Sequence, residues 1–84
     1  MSYEIFYTKQ ARKDYEKVEK FPALLKNVRK VIGVLKENPF QRPYEKIVGT
    51  SDTYSRRINI QHRLVYEVVD EKTIKVIRMW THYE

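Results

Sequence analysis

Apolar residues recur along the first half of the chain with the spacing of helices that bury one face. Between Lys9 and Lys20, one narrow apolar stripe runs among charged residues and predicts an amphipathic helix, for which Thr8 is a suitable N-cap. From Pro22 to Glu37 a broader apolar face predicts a second helix and the main cover of a sheet. That face is formed by Leu24, Leu25, Val28, Val31, Ile32 and Leu35.

Short runs of β-branched and aromatic residues predict strands elsewhere. Tyr3–Tyr7 is one such run, and Thr53–Ile60 with Arg63–Val69 forms an antiparallel pair joined by a tight polar link. Thr73–Trp80 is the last strand, and Tyr44–Val48 is a short edge strand in an otherwise irregular segment. Alternation in the second member of the pair turns Leu64, Tyr66 and Val68 toward the helices and leaves Arg63 on the open face.

The predicted order β-α-α-β-β-β-β indicates an α+β fold. We expect an antiparallel-rich twisted sheet with an N-terminal helical hairpin packed on one face. Eighty-four residues suffice for a single domain spanning residues 1–84.

Composition narrows the functional classes. The formal net charge of +6 and the pI of about 9.6 favour polyanionic partners. The chain has no cysteine, and its two histidines lack the spacing of zinc ligands, so we expect neither a metal site nor a cofactor. No signal peptide or membrane span is recognisable, and we expect a cytoplasmic protein.

Cations and imidazoles concentrate in two stretches. The segment S-R-R-I-N-I-Q-H-R-L-V-Y at positions 55–66 carries Arg56, Arg57, His62 and Arg63, and the chain ends in W-T-H-Y-E at positions 80–84. RNA is cleaved without a metal when its 2′-OH attacks the adjacent phosphate. That reaction needs a base, a cation beside the phosphorane and an acid for the leaving oxygen. These residue types therefore suit RNA binding and cleavage.

The base is the least determined of these groups. Glu45 lies in a segment punctuated by Pro43 and Gly49 that can present a side chain to the sheet. Glu67 has the same strand parity as Arg63, and Glu84 is terminal. Any one of these glutamates, considered alone, is most simply a solvated surface charge.

The two stretches, together with E-N-P-F and Y-E-K-I upstream, resemble the YoeB/Txe branch of the RelE-like toxins over Asn38–Glu84. The resemblance implies a toxin of a type II toxin–antitoxin module that cleaves mRNA in the A site of the 70S ribosome through a 2′,3′-cyclic phosphate. It also implies a YefM/Axe-like antitoxin as partner and leaves a homodimer open.

The resemblance further assigns roles to individual residues. Glu45 matches the general base, Arg63 the arginine at the scissile phosphate, His82 the general acid and Tyr83 the adjacent substrate-holding tyrosine. Arg56 and Arg57 match the family's basic pair, for which RNA contact and a structural role are the alternatives. Lys46 is an RNA-binding candidate as a substitute for a lysine that many members carry two positions later. By contrast, His62 is interpreted as a turn or packing residue.

The chain departs from the common pattern of this branch at three positions. Val48 stands where many members have a lysine, and Lys46 is the nearest basic residue. Gln61 replaces a glutamate before H-R-L-V-Y, and Glu84 follows the terminal tyrosine. Two alternatives also remain: a ParE-like toxin that acts on gyrase, and an RNA- or ribosome-binding module without catalysis.

Overall fold

The computed structural model of the protein describes residues 2–80. Within them the chain forms two helices and a five-stranded mixed sheet, which confirms the α+β class. In chain order the elements are β1 (Glu4–Tyr7), α1 (Lys9–Val18), α2 (Pro22–Glu37), β2 (Glu45–Lys46), β3 (Thr53–Arg57), β4 (Arg63–Val68) and β5 (Thr73–Arg78). Neither helix in this part of the chain is long and apolar enough to cross a bilayer.

The strands lie in the order β1-β5-β4-β3-β2. The pairs β5–β4, β4–β3 and β3–β2 are antiparallel, whereas β1 runs parallel to β5. The antiparallel pairing predicted for the two central runs is confirmed. The long segment between β1 and β2 contains both helices, so the chain crosses from one edge of the sheet to the other through them.

The predicted strand Thr53–Ile60 is too long, because a side chain closes the turn early. The Asn59 carboxamide Oδ1 accepts hydrogen bonds from the backbone amides of Gln61 and His62 at 2.9 and 2.7 Å. This local arrangement competes with the strand ladder. As a result β3 ends at Arg57, and Ile60 projects into solvent.

The apolar core lies between the helices and one face of the sheet. Leu64 and Tyr66 of β4 are fully buried with Val28 and Leu35 of α2, and Val68 packs at the edge of this cluster. The predicted alternation in β4 is therefore confirmed. The opposite face of the sheet carries Arg63 and is left open by the helices.

Asp14 of α1 joins the helix to the end of β5. Its Oδ2 accepts hydrogen bonds from Arg78 Nε at 2.9 Å and from the amides of Met79 and Trp80 at 3.1 and 3.3 Å. Gln10 donates to Oδ1 at 3.0 Å. Burial raises the pKa of Asp14, but these hydrogen bonds outweigh it, so the pKa lies below its usual value. Because Met79 and Trp80 donate to Asp14, β5 ends at Arg78 rather than at the predicted Trp80.

Candidate active site

Arg63 of β4 is held on the open face of the sheet by one residue of the adjacent strand β3 and one of the edge strand β2. Its Nε donates to Ser55 Oγ at 3.1 Å, and its Nη2 donates to Glu45 Oε1 at 2.8 Å. Glu45 lies opposite Ser55 in the β2–β3 pair, and Arg63 lies opposite Arg57 in the β3–β4 pair. The Arg63 side chain therefore extends from β4 across β3 to β2. It brings the predicted phosphate-binding arginine into contact with Glu45, the predicted base.

Side chains on the helix side of the sheet anchor the segment that leads to Glu45. The Tyr66 hydroxyl donates to the Pro39 carbonyl at 2.6 Å, and Arg56 Nη1 donates to the carbonyl of Gln41. Burial raises the pKa of Tyr66 to about 12, so the phenol stays a donor at neutral pH. The backbone before β2 is thus tied to the core, and Glu45 projects from a supported edge.

The two partners of the ion pair differ in exposure. The Arg63 side chain is 16% exposed, whereas that of Glu45 is 73% exposed. An ion pair with one solvated partner contributes about 0.2–1 kcal/mol, so its exchange for another anion costs little. The guanidinium is consequently fixed in position, while its carboxylate partner can be replaced by an incoming phosphate.

An open cavity of about 550 Å³ surrounds this pair. Its wall includes the cationic side chains Lys46, Arg57 and Arg63, with Glu45 as the acid among its lining residues. This volume falls within the range of about 300–1,000 Å³ typical of ligand sites. The excess of positive charge suits an anionic ligand. Within residues 2–80, no group of three or more histidines and acids is arranged to hold a metal ion.

Arg56 and Arg57 lie on opposite faces of β3. Arg57 is exposed and lines the cavity beside Arg63. Arg56 is 8% exposed, lies opposite Leu64 in the register, and donates to the carbonyl of Gln41. This burial favours the structural alternative for Arg56, while a role for it in RNA binding stays a prediction.

Lys46 lines the same cavity, as does Val48. Lys46 pairs with Tyr54, whereas Glu45 pairs with Ser55, so strand alternation directs Lys46 and Glu45 to opposite faces of the sheet. β2 ends at Lys46, so Val48 lies outside the strand, and the predicted edge strand Tyr44–Val48 is shorter than expected. Lys46 nevertheless remains the cation nearest in sequence to the predicted base, and its part in RNA binding stays a prediction.

The two predicted C-terminal site residues, His82 and Tyr83, lie outside the described residues, as does Glu84. The other histidine, His62, is buried and stacks on Trp80 with ring centroids 4.3 Å apart. Its interpretation as a packing residue is confirmed. Trp80 also stacks on Phe21 at 5.6 Å, so a row of three rings joins the start of α2 to the end of the β3–β4 turn.

Ser55 belongs to this site although the sequence reasoning missed it. It is 3% exposed, and its hydroxyl fixes the Nε side of the guanidinium. The sequence did contain one indication of this role. Ser55 and Arg57 lie two positions apart on β3 and so share a face of the sheet, and Arg57 pairs with Arg63. Parity identifies a shared face, but it does not reveal which neighbour accepts the hydrogen bond.

Comparisons with known proteins identify the family of the chain. A family model described as the YoeB-like toxin of bacterial type II toxin–antitoxin systems matches residues 7–83. The structure of a YoeB dimer from Staphylococcus aureus is 30% identical, with 99% of this chain and 100% of that chain covered and a TM-score of 0.86. A search of curated proteins found no match.

Two further solved structures are similar over nearly their whole length. The YoeB/ParE toxin from Agrobacterium tumefaciens is 26% identical, with 95% of this chain and 99% of that chain covered and a TM-score of 0.84. A YoeB–YefM complex from Staphylococcus aureus contains a chain that is 30% identical, with 99% and 100% covered and a TM-score of 0.81. With the family match over residues 7–83, these findings show that the chain belongs to the YoeB-like toxins of bacterial type II toxin–antitoxin systems.

Proposed function

We propose that this toxin is a ribosome-dependent endoribonuclease that cleaves mRNA in the ribosomal A site by acid–base chemistry, without a metal or cofactor, and so inhibits translation in the cytoplasm. The observation that carries the proposal is the contact of Glu45 with Arg63 on an open, cation-lined face. A carboxylate and a fixed guanidinium side by side can serve a hydroxyl and its neighbouring phosphate at the same time.

The reaction begins when the scissile phosphate takes the place of Glu45 on the guanidinium of Arg63. The released carboxylate accepts the proton of the 2′-OH, and the 2′-oxygen attacks phosphorus. Arg63 stabilises the charge that develops on the phosphorane oxygens, and Arg57 adds a second cation at the cavity wall.

Collapse of the phosphorane completes the cleavage. The bond from phosphorus to the 5′-oxygen breaks, the leaving oxygen takes a proton from His82, and a 2′,3′-cyclic phosphate remains on the upstream fragment. Tyr83 holds the substrate beside that acid. Both of these roles follow from the family resemblance and belong to the proposal.

Two substitutions test the pair directly. Glu45→Gln keeps the size of the side chain but removes the base, and Arg63→Ala removes the cation. Because a positioned acid or base contributes about 10²–10⁴-fold, we expect each variant to lower kcat/KM for cleavage of ribosome-bound mRNA by at least roughly 100-fold. The rate is measured by mapping and quantifying the new 5′ ends of mRNA that appear on purified ribosomes over time.

Matched controls separate chemistry from folding and charge. Glu71→Gln removes an exposed acid from the β4–β5 turn, and Arg12→Ala removes an exposed cation from α1. Both controls should cleave at the wild-type rate, and all four variants should keep a cooperative thermal transition. A folded Arg63→Ala variant with full activity would sink the proposal.

The alternatives predict different results. A ParE-like toxin acting on gyrase would produce DNA damage signalling on induction, without loss of mRNA. A ribosome-binding module without catalysis would tolerate Glu45→Ala. The endonuclease requires mRNA cleavage on induction and its loss in Glu45→Ala.

We also propose that a YefM/Axe-like antitoxin binds this chain, as in the solved YoeB–YefM complexes, and that the chain can form a homodimer like its Staphylococcus relative. The open cationic face suits an extended acidic segment of the antitoxin. Light scattering of the purified toxin, alone and with the product of the neighbouring reading frame, measures both assemblies.

A further inference from the structure

We propose that a nucleobase next to the scissile phosphate stacks on Phe21, in a subsite formed by the start of α2 and the β3–β4 turn. This inference rests on the proposed endoribonuclease function and adds a substrate-binding site to it. Phe21 lies outside the lining of the cavity that surrounds Glu45 and Arg63 and takes no part in the proposed cleavage steps.

The first observation is a row of three rings with an accessible end. Phe21 stacks on Trp80 at 5.6 Å with an angle of 27° between the planes, and Trp80 stacks on His62 at 4.3 Å and 30°. His62 is buried at one end of the row, whereas Phe21 is 50% exposed at the other. A single exposed phenylalanine is ordinary on a protein surface. This one is held in orientation by a tryptophan behind it.

The second observation is the space beside the row. A cavity of about 450 Å³ is bordered by Phe21, Trp80, Asn59 and Gln61. Its volume is in the range of about 300–1,000 Å³ that small ligands occupy. The Asn59 carboxamide oxygen is engaged by backbone amides, while the exposed side chain of Gln61 presents both a donor and an acceptor.

The third observation is that this space adjoins the candidate active site. Gln61 lines both this cavity and the one that contains Glu45 and Arg63. A strand of RNA whose phosphate lies at Arg63 can therefore pass Gln61 and reach Phe21 around the end of the turn. Cations on one side of Gln61 and aromatic rings on the other match a nucleotide, which has an anionic phosphate and a flat base.

A base fits this subsite better than an apolar peptide side chain does. Aromatic rings bind unpaired bases face to face with little dependence on sequence. Amides at the rim suit the polar edge of a base and would be left unpaired against an aliphatic group. Cleavage in the middle of a strand also requires the bases that flank the cut to be separated, and a ring that takes one of them favours that state.

The test combines variants of Phe21 with substrates that lack one base. Phe21→Leu keeps an apolar side chain against Trp80 but removes the aromatic face, and Phe21→Tyr keeps the face. Each protein is given ribosome-bound mRNAs that are intact or carry an abasic nucleotide on the upstream or the downstream side of the cut. The measured quantity is kcat/KM, with thermal denaturation as the check on folding.

We expect Phe21→Leu to lower kcat/KM about tenfold on intact mRNA and to a similar extent for all four bases, because stacking tolerates sequence. Phe21→Tyr should cleave intact mRNA with a kcat/KM close to that of the wild type. On one of the two abasic mRNAs, the kcat/KM of the wild type should also fall about tenfold. On that same mRNA, Phe21→Leu should have the same kcat/KM as the wild type. The loss of the wild type on one abasic mRNA is measured without any variant, and Phe21→Tyr supplies the folded comparison if Phe21→Leu folds poorly.

Other outcomes overturn the inference. If Phe21→Leu cleaves intact mRNA at the wild-type rate, or if its loss is the same on intact and both abasic mRNAs, no base stacks there and the ring is merely structural. In both cases the endoribonuclease function still stands. A wild-type chain that cleaves no mRNA overturns the proposed function, and this subsite falls with it.

Discussion

Adjacent arginines in this toxin have different surroundings because a strand turns successive side chains to opposite faces. Arg57 is exposed beside Arg63 at the cavity, whereas Arg56 is buried against the core and donates to the backbone before β2. The two residues carry the same charge and differ by one position, so each is the natural control for the other.

We therefore predict opposite effects of alanine at these two positions. Arg57→Ala should lower kcat/KM for mRNA cleavage about tenfold and change the free energy of unfolding by less than about 0.5 kcal/mol. Arg56→Ala removes a buried side chain and its partly buried hydrogen bond to the carbonyl of Gln41, and should cost on the order of 1–3 kcal/mol. Urea unfolding and cleavage kinetics measure the two effects. A destabilised Arg57→Ala with normal Arg56→Ala would contradict the assignment of faces.

Some of the individual site residues could be predicted from the sequence, and others could not. Glu45 and Arg63 were identified together by resemblance, and strand parity put Arg63 on the open face. Ser55 and Asp14 were missed because their roles depend on which donor comes within hydrogen-bond distance after folding. Asp14 contacts residues more than sixty positions away, and no local pattern marks such a partner.

At the scale of elements, the Asp14 carboxylate clamps α1 to the end of β5. The clamp holds Trp80, the last described residue, beside α1, and the proposed acid His82 follows two positions later in the sequence. Hydrogen bonds keep the pKa of Asp14 below its ordinary value of 3.8. A lowered pKa in the folded state adds stability above the unfolded pKa, and that stability is lost as the pH falls through the folded value.

We accordingly predict that Asp14→Asn is destabilised at neutral pH, by on the order of 2 kcal/mol, because a neutral amide cannot accept all of these hydrogen bonds. The difference from the wild type should shrink progressively below about pH 4. Urea unfolding between about pH 7 and pH 3 measures it, and Asp52→Asn, at an exposed loop position, controls for the change in net charge. A constant difference across this range would exclude ionised Asp14 as the cause.

Elements with a long periodic pattern were predictable, and those defined by their neighbours were not. The bounds of α2 agree with the apolar face and its Pro22 start. The two-residue strand β2 has no period of its own and exists because β3 offers it an edge. The parallel pairing of β1 with β5 also escaped prediction, since alternation shows which face is buried but not which strand lies alongside.

At the scale of the whole molecule, the distribution of the positive charge matters more than its sum. The net charge of +6 attracts any polyanion, but the proposed reaction requires RNA to follow the open face of the sheet. Arg57 lies on that face, and Arg12 is exposed on α1, which packs against the other face. Removing either one lowers the net charge equally.

Salt dependence distinguishes these two positions. Each phosphate of single-stranded RNA neutralised by a cation contributes about −0.7 to the slope of log K against log salt concentration. We predict that Arg57→Ala makes the slope shallower by about 0.7 for an oligoribonucleotide with a 2′-O-methyl group at the cleavage position, which prevents cleavage. Arg12→Ala should leave the slope unchanged, because a charge outside the RNA path releases no bound counterion. Equal changes in both variants would mean that RNA binds through the overall field of the protein, without a path across the sheet.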